Sequence, residues 1–315
     1  MDPEMNSCTI IMYHYVRPIQ KSSFPKIKGL ELIGFRRQLN YLCNNFNIIT
    51  ANQMLNCIYN RNKIPSKSAV LTFDDGFKDH FSFVFPLLKK FKIQGLFFPP
   101  AKPIKEKSIL DVHKIHHILA NVNNKQTLVN EINHFIRNYK DEYDLDSPSK
   151  YYERLAIPNR FDTKDVIFIK RILQRDLPQK LRNIVTSYLF KKYITSDEQA
   201  FSEELYLSLD EIKEMCESGM YFGSHSYSHN WLTTLSEKEL KIEIGKSLNF
   251  HHSIVKNSGD DLIMCYPYGD YNKKIIQELK KYNFKAGLTT DVGTAILNKR
   301  NAYHLMRYDT NDFPQ

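Results

Sequence analysis

Short apolar runs alternate with amphipathic stretches of helical period along most of the chain. Because strands that alternate with helices form parallel sheets, this pattern predicts an α/β protein. About eight such units, without a glycine-rich dinucleotide loop after the first run, favour a distorted (β/α) barrel of about seven or eight strands. The runs are CTIIMYHYV (8–16), FNIIT (46–50), SAVLTF (68–73), IQGLFFP (93–99), MYFGS (220–224), DLIMCYP (261–267), FKAGLTT (284–290) and YHLMR (303–307).

The central third of the chain lacks this alternation. Between residues 101 and 206 the strand pattern disappears, and polar segments rich in Lys, Asn, Asp and Tyr have a helical period. From this pattern alone we expect a barrel in two parts, 1–100 and 207–315, with a helical insertion at 101–206.

Length and composition are those of a globular protein. The chain has 315 residues, of which 42% are hydrophobic, and its apolar runs are shorter than the roughly 18 residues that span a bilayer. The N-terminal MDPEMNSC lacks the basic, apolar and small-residue order of a secretory signal, so we expect a cytoplasmic location. Five scattered cysteines without a C-x-x-C pair are typical of reduced thiols, which agrees with that location.

The formal net charge of +9 would suit an anionic partner, such as nucleic acid, a phosphorylated sugar or a membrane surface. The lysines are spread along the chain, and no nucleic-acid-binding motif accompanies them. We interpret the charge as a solvated basic surface and expect no nucleic-acid partner. Peripheral contact with a membrane and the oligomeric state stay open.

Two adjacent carboxylates, Asp74 and Asp75, follow the apolar run SAVLTF. This is the end of a barrel strand at which active sites are built. The stretch Asp-Asp-Gly is also typical of a simple turn, in which the glycine supplies a positive φ angle. A second motif is needed to decide between a site and a turn.

The second motif is GSHSYSHNW, which places His225 and His229 four residues apart directly after a predicted strand. In a helical turn this spacing brings two imidazoles to one side, close enough to share a metal ion. With Asp75 they would supply two nitrogens and one oxygen and leave positions open, as in hydrolytic metal sites. If Asp75 is the ligand, Asp74 can take a proton from water as general base.

The third motif is CYPYGDYN, again after a predicted strand. Its Pro-Tyr-Gly turn, with Pro267 and Tyr268, could present a backbone N–H and an aromatic wall to a substrate. It could equally be a turn between a strand and a helix with no other role.

Together the three motifs resemble those of the metal-dependent polysaccharide deacetylases, the NodB-homology domains of carbohydrate esterase family 4. TFDDG (72–76), HSYSH (225–229) and YPYG (266–269) are similar to the family's first three motifs. The resemblance implies that Asp74 is the catalytic base and Asp75 a metal ligand. It also implies zinc as the usual ion, with Co²⁺, Ni²⁺ or Mn²⁺ as alternatives.

The resemblance implies further roles at the same motifs. His225 and His229 complete the set of metal ligands, and the backbone N–H of Tyr268 stabilises the developing oxyanion. Many members of the family have an arginine that orients the catalytic aspartate, where this chain has Cys265. We expect Arg307, at the end of the last apolar run, to replace it; the alternative is a salt-bridged surface arginine.

The proton donor to the leaving nitrogen is expected among two histidines. His14 in MYHYV resembles the Tyr-His of the subgroup that deacetylates poly-N-acetylglucosamine, and its neighbour Tyr13 is expected to contact the substrate. His304 is the alternative donor. A further pair at four-residue spacing, His113 and His117, lies in the insertion and is interpreted as ordinary helix positions, with substrate binding as the alternative.

These observations predict a metal-dependent hydrolase that removes the N-acetyl group from an N-acetylated amino sugar. The expected substrate is a glycan or a nucleotide-linked or lipid-linked precursor of a surface polysaccharide. Three alternatives stay open: a metallohydrolase of another small amide or ester, a non-catalytic glycan-binding module, and a nucleic-acid-binding protein.

Overall fold

A computed structural model describes residues 6–159, 162–254 and 261–314. The N-terminal residues 1–5, on which the expectation about a secretory signal depends, lie outside the described residues. The chain divides into two compact units. The strand unit comprises Met1–Ile19, Gly29–Ser108 and Ser202–Gln315, and the helical unit comprises Gln20–Lys28 and Ile109–Phe201.

Strands and helices follow one another as an α/β protein requires. In the part of the chain that the structure describes, the strands are β1 (Ser7–Tyr13), β2 (Val16–Arg17), β3 (Leu30–Glu31), β4 (Asn47–Ile48), β5 (Ser68–Asp74), β6 (Gly95–Phe98), β7 (Tyr221–Phe222), β8 (Leu262–Cys265), β9 (Phe284–Leu288), β10 (Ala295–Ile296) and β11 (Tyr308–Asp309). The α-helices are α1 (Leu32–Asn45), α2 (Ala51–Asn60), α3 (Phe85–Phe91), α4 (Ala101–Glu106), α5 (Asp111–Asn121), α6 (Lys125–Asn138), α7 (Lys140–Tyr143), α8 (Pro148–Leu155), α9 (Lys164–Arg171), α10 (Gln179–Tyr193), α11 (Glu198–Leu205), α12 (Leu209–Glu217), α13 (Glu237–Ile254) and α14 (Lys273–Lys281).

The main sheet of the strand unit has the order β10-β1-β5-β6-β7, with β11 also paired to β1 and β4 to β5. Strands β1, β5, β6 and β7 are parallel, and β10 is antiparallel to β1. The parallel pair β8-β9 is connected to its neighbours by isolated bridges, Ser224 with Met264 and Leu288 with Leu305. Within the described residues, the strands are therefore not joined by continuous hydrogen-bonded pairing into a closed barrel. The predicted α/β fold with a distorted barrel is confirmed.

The central strand β5 explains where the barrel interior lies. All seven of its residues are buried, as expected for a parallel strand covered on both sides. Val70 packs in one cluster with residues of β1, β6, β8 and β9. Because side chains alternate along a strand, Thr72 and Asp74 point to the same side as Val70. Asp74 is thus carried at the carboxyl end of the barrel interior.

The other face of the sheet carries a stack of aromatic rings. Tyr13, Phe73, Phe97 and Phe222 come from four neighbouring parallel strands and have ring centroids 5.1, 4.8 and 5.4 Å apart in that order. Phe35 of α1 packs edge-on against Tyr13. This stack therefore belongs to the layer between the sheet and the surrounding helices, and not to the barrel interior.

The last predicted strand differs from the structure. Residues 303–307 form a turn and the isolated bridge at Leu305, and strand β11 follows at Tyr308–Asp309. The short strands β2, β3 and β10 were not predicted, because two residues are too few to produce a hydrophobic pattern.

Over Ile109–Phe201 the helical unit contains helices α5 to α10 and the first half of α11, whose residues from Ser202 onward belong to the strand unit. The segment Gln20–Lys28, between β2 and β3, packs in the same unit through Phe24, whose ring lies edge-on to His117 and Phe201. Helix α4 belongs to the strand unit. None of the helices within the described residues has the length and apolar character needed to span a membrane.

Candidate active site

Asp74 and Asp75 leave strand β5 in different directions. Asp74 is the last residue of the strand, whereas Asp75 has φ +72° and Gly76 φ +64°, both in the left-handed region. A Cβ at Gly76 would lie 2.6 Å from Cβ of Pro99, so the position requires glycine both for its backbone and for its space. This turn gives the two carboxylates separate surroundings, although both are buried.

Asp75 lies against the two histidines of the second motif. Its Oδ1 is 3.5 Å from Nε2 of His225 and 3.5 Å from Nε2 of His229. The three side chains are buried, and their ligand atoms lie within 4.8 Å of one another. One carboxylate oxygen and two imidazole nitrogens therefore converge on one point.

The histidines reach this position from a loop and not from a helical turn, as the four-residue spacing had suggested. Residues 225–230 have no helical structure, and Ser226 (φ +62°) and His229 (φ +56°) are in the left-handed region. The backbone N–H of His229 donates to Oγ of Ser226. The backbone N–H of Ser226 donates in turn to Oγ of Ser224. Short-range hydrogen bonds of serine thus shape the loop.

A buried glutamate on α13 holds the middle of this loop. The carboxylate of Glu243 accepts from Tyr227 N at 3.0 Å, from Ser228 N at 2.5 Å and from Ser228 Oγ at 2.9 Å. Glu243 is 6% exposed. Its role could not be predicted, because a glutamate on an amphipathic helix is ordinary and its partners are distant in the chain.

The three residues suit a divalent metal ion. Nδ1 of His225 lies 2.7 Å from the carbonyl oxygen of Cys265, and because a carbonyl can only accept, Nδ1 must donate. In the neutral imidazole that a metal requires, Nε2 then carries the lone pair and faces Asp75, as in metal-binding histidines whose other nitrogen is hydrogen-bonded to a carbonyl. Burial lowers the pKa of His225, but its hydrogen bonds at Cys265 and Asp75 and the charge of Asp74 raise it well above its ordinary value. The pocket therefore attracts positive charge.

A second group of three, Asp74, His225 and Cys265, also lies within ligand distance. This group suits a cation less well. The positive charge of Arg307 already lies against the carboxylate of Asp74. Burial raises the pKa of the Cys265 thiol, so the thiol keeps its proton. We therefore assign the candidate metal position to Asp75, His225 and His229.

Arg307 is buried against Asp74. Its Nη1 donates to Oδ1 of Asp74 at 2.9 Å, and its Nη2 lies 2.8 Å from Oδ2. The guanidinium is fixed by two more bonds, from Nε to the carbonyl of Thr289 at 2.8 Å and from Nη1 to Oγ1 of Thr72 at 3.1 Å. This is a bidentate pair with a fixed orientation, and not a solvent-exposed surface pair.

The charge of Asp74 is governed by two opposing effects. Burial raises its pKa, whereas Arg307 lowers it, with smaller contributions from His225 and His14. The net result is a pKa below the ordinary value. Asp74 is thus ionised at neutral pH, the form that a general base needs.

The Pro-Tyr-Gly motif forms a tight 3₁₀ turn after strand β8, from Pro267 to Gly269. Tyr268 has φ +58°, and a Cβ on Gly269 would lie 2.1 Å from Oγ1 of Thr290. The Tyr268 ring lies edge-on to His229, and Trp231 stacks on it with centroids 4.4 Å apart. The motif is therefore next to the candidate metal ligands, with an aromatic pair that includes a residue that we did not predict, Trp231.

His14 lies at the mouth of the same site. Its side chain is 41% exposed, and its Nε2 is 3.9 Å from Oδ2 of Asp74. Behind it, Nε2 of the buried His80 lies 2.9 Å from the carbonyl oxygen of His14. Because that carbonyl accepts, Nε2 of His80 carries the proton and supports the backbone that presents His14.

The other candidates lie elsewhere. Tyr13 has no exposed surface and belongs to the aromatic stack, because it has the opposite strand parity to the residues that face the barrel interior; we do not retain it as a substrate-binding residue. His304 is paired with Asp291 and Tyr271. His113 and His117 are buried in the helical unit, where His117 packs against Phe24 and Phe201.

The neutral state of His80 should make stability depend on pH. Burial lowers the pKa of His80 from 6.5 to about 4, so the native state excludes a proton that the unfolded chain binds. The resulting contribution is complete above pH 6.5, is lost as pH falls towards 4, and amounts to about 3 kcal/mol. Urea unfolding at pH 7.5 and 4.5 should therefore show a smaller loss of stability for His80→Gln than for the wild type. The exposed His134→Gln is the control, and equal pH dependence in all three proteins would refute the assignment.

The comparisons with known proteins agree with the motifs. The family model described as polysaccharide deacetylase matches residues 178–287, which contain His225, His229 and Tyr268. The Bacillus subtilis protein YxkH, whose name places it among the polysaccharide deacetylases, is 24% identical over 112 residues. That match covers 36% of this chain and 39% of YxkH, so the chain spans well under half of the curated relative's length.

Solved structures share the fold. The Streptococcus pyogenes deacetylase PplD is 16% identical with a TM-score of 0.58, and the alignment covers 96% of this chain and 92% of PplD. IcaB from Ammonifex degensii is 17% identical with a TM-score of 0.52, covering 91% and 84% of the two chains. The BpsB deacetylase domain from Bordetella bronchiseptica is 14% identical with a TM-score of 0.51, covering 98% of each. The resemblance to the polysaccharide deacetylases that the three motifs indicate is confirmed.

Proposed function

We propose that this protein is a metal-dependent hydrolase that removes the N-acetyl group from an N-acetylated amino sugar. One observation carries the proposal. Oδ1 of Asp75 lies 3.5 Å from Nε2 of both His225 and His229, and the adjacent Asp74 is held separately by Arg307. A site with three ligands and a neighbouring ionised carboxylate is suited to hydrolysis.

Asp75, His225 and His229 would hold the ion. Two imidazoles and one carboxylate are a ligand set typical of catalytic zinc, and we propose Zn²⁺, with Co²⁺, Ni²⁺ and Mn²⁺ as alternatives. When bound, such an ion supplies Lewis acidity, which polarises a carbonyl and lowers the pKa of water.

Asp74 acts as general base in this proposal. Its carboxylate takes a proton from the water molecule that attacks the acetyl carbonyl carbon. A carboxylate has about four lone-pair positions, so the hydrogen bond from Nη1 and the ion-pair contact with Nη2 of Arg307 leave capacity for a further partner. Arg307 is a positioning residue, since it touches Asp74 and not the reacting atoms.

Two further groups complete the reaction. The backbone N–H of Tyr268 donates to the oxygen that becomes negative as the carbonyl carbon turns tetrahedral. His14 donates a proton to the amide nitrogen as the C–N bond breaks, which releases acetate and leaves a free amine on the sugar. The exposed position of His14, 3.9 Å from Asp74, suits a group that must reach the leaving nitrogen.

The proposed substrate is a glycan or a nucleotide-linked or lipid-linked sugar precursor. The stacked pair of Trp231 and Tyr268 beside His229 presents aromatic rings against which the apolar face of a sugar can pack. A cytoplasmic location and peripheral contact with a membrane stay predictions from the sequence.

Acetate release tests the proposal. Zinc-loaded wild type would be incubated with N-acetylated nucleotide sugars, lipid-linked sugars and chitooligosaccharides, with Asp74→Asn as the inactive control. We expect acetate from at least one substrate with the wild type alone. A silent panel with metal bound would contradict the proposal and leave an enzyme for another amide or ester, or a glycan-binding module.

Glu243 should control metal affinity without touching the ion. Glu243→Ala leaves two backbone N–H groups and a hydroxyl of the histidine loop without their acceptor, so the two imidazoles lose their fixed positions. Loss of such supporting partners typically weakens metal binding about 10- to 100-fold. Zinc competition with a chelating dye would measure this. Glu237→Ala, an exposed change at the start of the same helix, is the control, and equal zinc affinity in both variants would refute the role of Glu243.

A further inference from the structure

A cavity of about 260 Å³ lies within the helical unit. This volume is close to the lower end of the roughly 300–1,000 Å³ typical of small-molecule sites. Part of its wall is apolar, formed by Leu119, Ala120 and Val166. All of its lining residues belong to the helical unit, so the cavity is a feature of that unit alone.

Four lysines line this cavity: Lys26, Lys28, Lys125 and Lys170. They come from the segment Gln20–Lys28 and from helices α6 and α9, which are far apart in the sequence. Their convergence is therefore a product of the fold. It could not be predicted from a sequence in which lysine is common throughout.

Among the residues that line the cavity, one carboxylate, that of Asp162, faces these four positive charges. Its Oδ1 lies 2.5 Å from Nζ of Lys28, and its Oδ2 lies 2.6 Å from Nζ of Lys170. Its side chain is 7% exposed. Asp162 therefore neutralises about one of the two lysines that it holds, and it orients both.

Lys26 and Lys125 have neutral partners. Nζ of Lys26 donates to Oδ1 of Asn123, and Nζ of Lys125 donates to the carbonyl oxygens of Leu119 and Val122. Burial lowers the pKa of Lys125, and the charge of Lys26 lowers it further, so the two ammonium groups repel one another. An anion between them would relieve this repulsion.

The start of helix α9 adds to the positive potential. Thr163, its N-cap residue, lines the cavity, and the first N–H groups of a helix favour anions. Four lysines against one aspartate leave a net charge of about +3 in the lining before His116 is counted. A concave surface of one sign concentrates counter-ions.

We infer that this cavity is a binding site for a small soluble phosphate ester or diphosphate. The phosphate oxygens lie among the four ammonium groups, and the organic part packs on the wall of Leu119, Ala120 and Val166. This site is separate from the proposed deacetylation and does not depend on it. A phosphate suits point-like lysine charges that are already oriented by acceptors.

Isothermal titration of the full-length, zinc-loaded protein at about 0.15 M salt tests the inference, with inorganic pyrophosphate and glucose 1-phosphate as probes. Lys26→Gln/Lys125→Gln should weaken binding at least tenfold. This pair is chosen because a change of Lys28 or Lys170 would remove one of the two ion-pair partners of Asp162. The matched control is Lys140→Gln/Lys191→Gln, which removes the same charge from exposed positions of the same unit and should stay within twofold of the wild type.

A second variant, Ala120→Leu, fills the cavity without changing its charge and should also weaken binding at least tenfold. If the double lysine variant does not fold, the affinity of Ala120→Leu for the probes tests the inference instead. The inference would be overturned if neither probe bound, or if the control variant lost as much affinity as the cavity variants. It would also be overturned if the cavity variants bound the probes normally, which would place the probe at the zinc position. Phosphatidylglycerol vesicles are tested in parallel, and binding of the vesicles without binding of the soluble probes would likewise overturn it.

Discussion

Asp75→Ala is expected to lose both bound zinc and acetate release, whereas Asp74→Asn should keep the zinc and lose only turnover. The turnover of Asp74→Asn should fall by a factor of about 10² to 10⁴, the usual contribution of a general base. Two neighbours in the sequence would thus have separable roles.

The expected separation has a structural cause. Asp75 has Oδ1 3.5 Å from Nε2 of each imidazole, so its removal leaves two nitrogen ligands and no carboxylate ligand. Asp74 instead receives both nitrogens of Arg307. Asparagine keeps its shape but cannot accept a proton from water.

Zinc content after gel filtration and initial rates of acetate release would be measured on the same preparations. His134→Gln, an exposed change in the helical unit, serves as the unaffected control. If Asp74→Asn lost zinc to the same extent as Asp75→Ala, the assignment of ligand and base to separate carboxylates would be wrong.

The sequence could predict those parts of the fold and the candidate site that depend on strand ends. A buried strand such as β5 has an apolar pattern of its own, and parallel strands bring their carboxyl ends to one edge. Asp74 ends a strand, and Asp75, His225 and Tyr268 follow strands, so their placement in one barrel mouth could be anticipated. The two-residue strands β2, β3 and β10 could not be predicted, because they depend on their pairing partners, whereas the equally short β4 and β7 lie within longer apolar runs.

Contacts between residues that are distant in the sequence could not be predicted from local sequence patterns. The loop of His225 and His229 is fixed by Glu243, and its left-handed residues replace the helical turn that the spacing suggested. Tyr13 was expected beside the substrate because it precedes His14. In a strand, however, neighbours face opposite sides, and the aromatic stack shows that Tyr13 faces the helices.

Arg307 illustrates a compensation that a departure in the sequence could suggest. Cys265 occupies the place where the resemblance to the polysaccharide deacetylases implies an arginine, and it is small and fully buried. Arg307 reaches Asp74 from a different segment, anchored by the carbonyl of Thr289 and by Thr72. The same kind of contact with the carboxylate is thus available from another strand end.

Arg307→Met is expected to lower turnover at pH 7 at least a hundredfold while zinc stays bound. Without the guanidinium, only the smaller contributions of His225 and His14 oppose the effect of burial, so the pKa of Asp74 rises. The acid limb of the kcat/KM profile should therefore move to higher pH, and part of the loss should be recovered as the pH is raised. Breaking a buried pair by removing one partner should also cost about 3–5 kcal/mol of stability.

The matched control is Arg17→Met, which breaks another arginine–aspartate pair in the strand unit, with Asp79 at 2.6 Å, and leaves Asp74 paired. Urea unfolding, zinc content and pH–rate profiles of the two variants separate a general loss of stability from an effect on the base. A purely structural role for Arg307 would leave the acid limb where it is in the wild type. A shift of that limb in Arg307→Met alone would show that the guanidinium keeps Asp74 ionised, so that this arginine sets the pH range in which the proposed base can act.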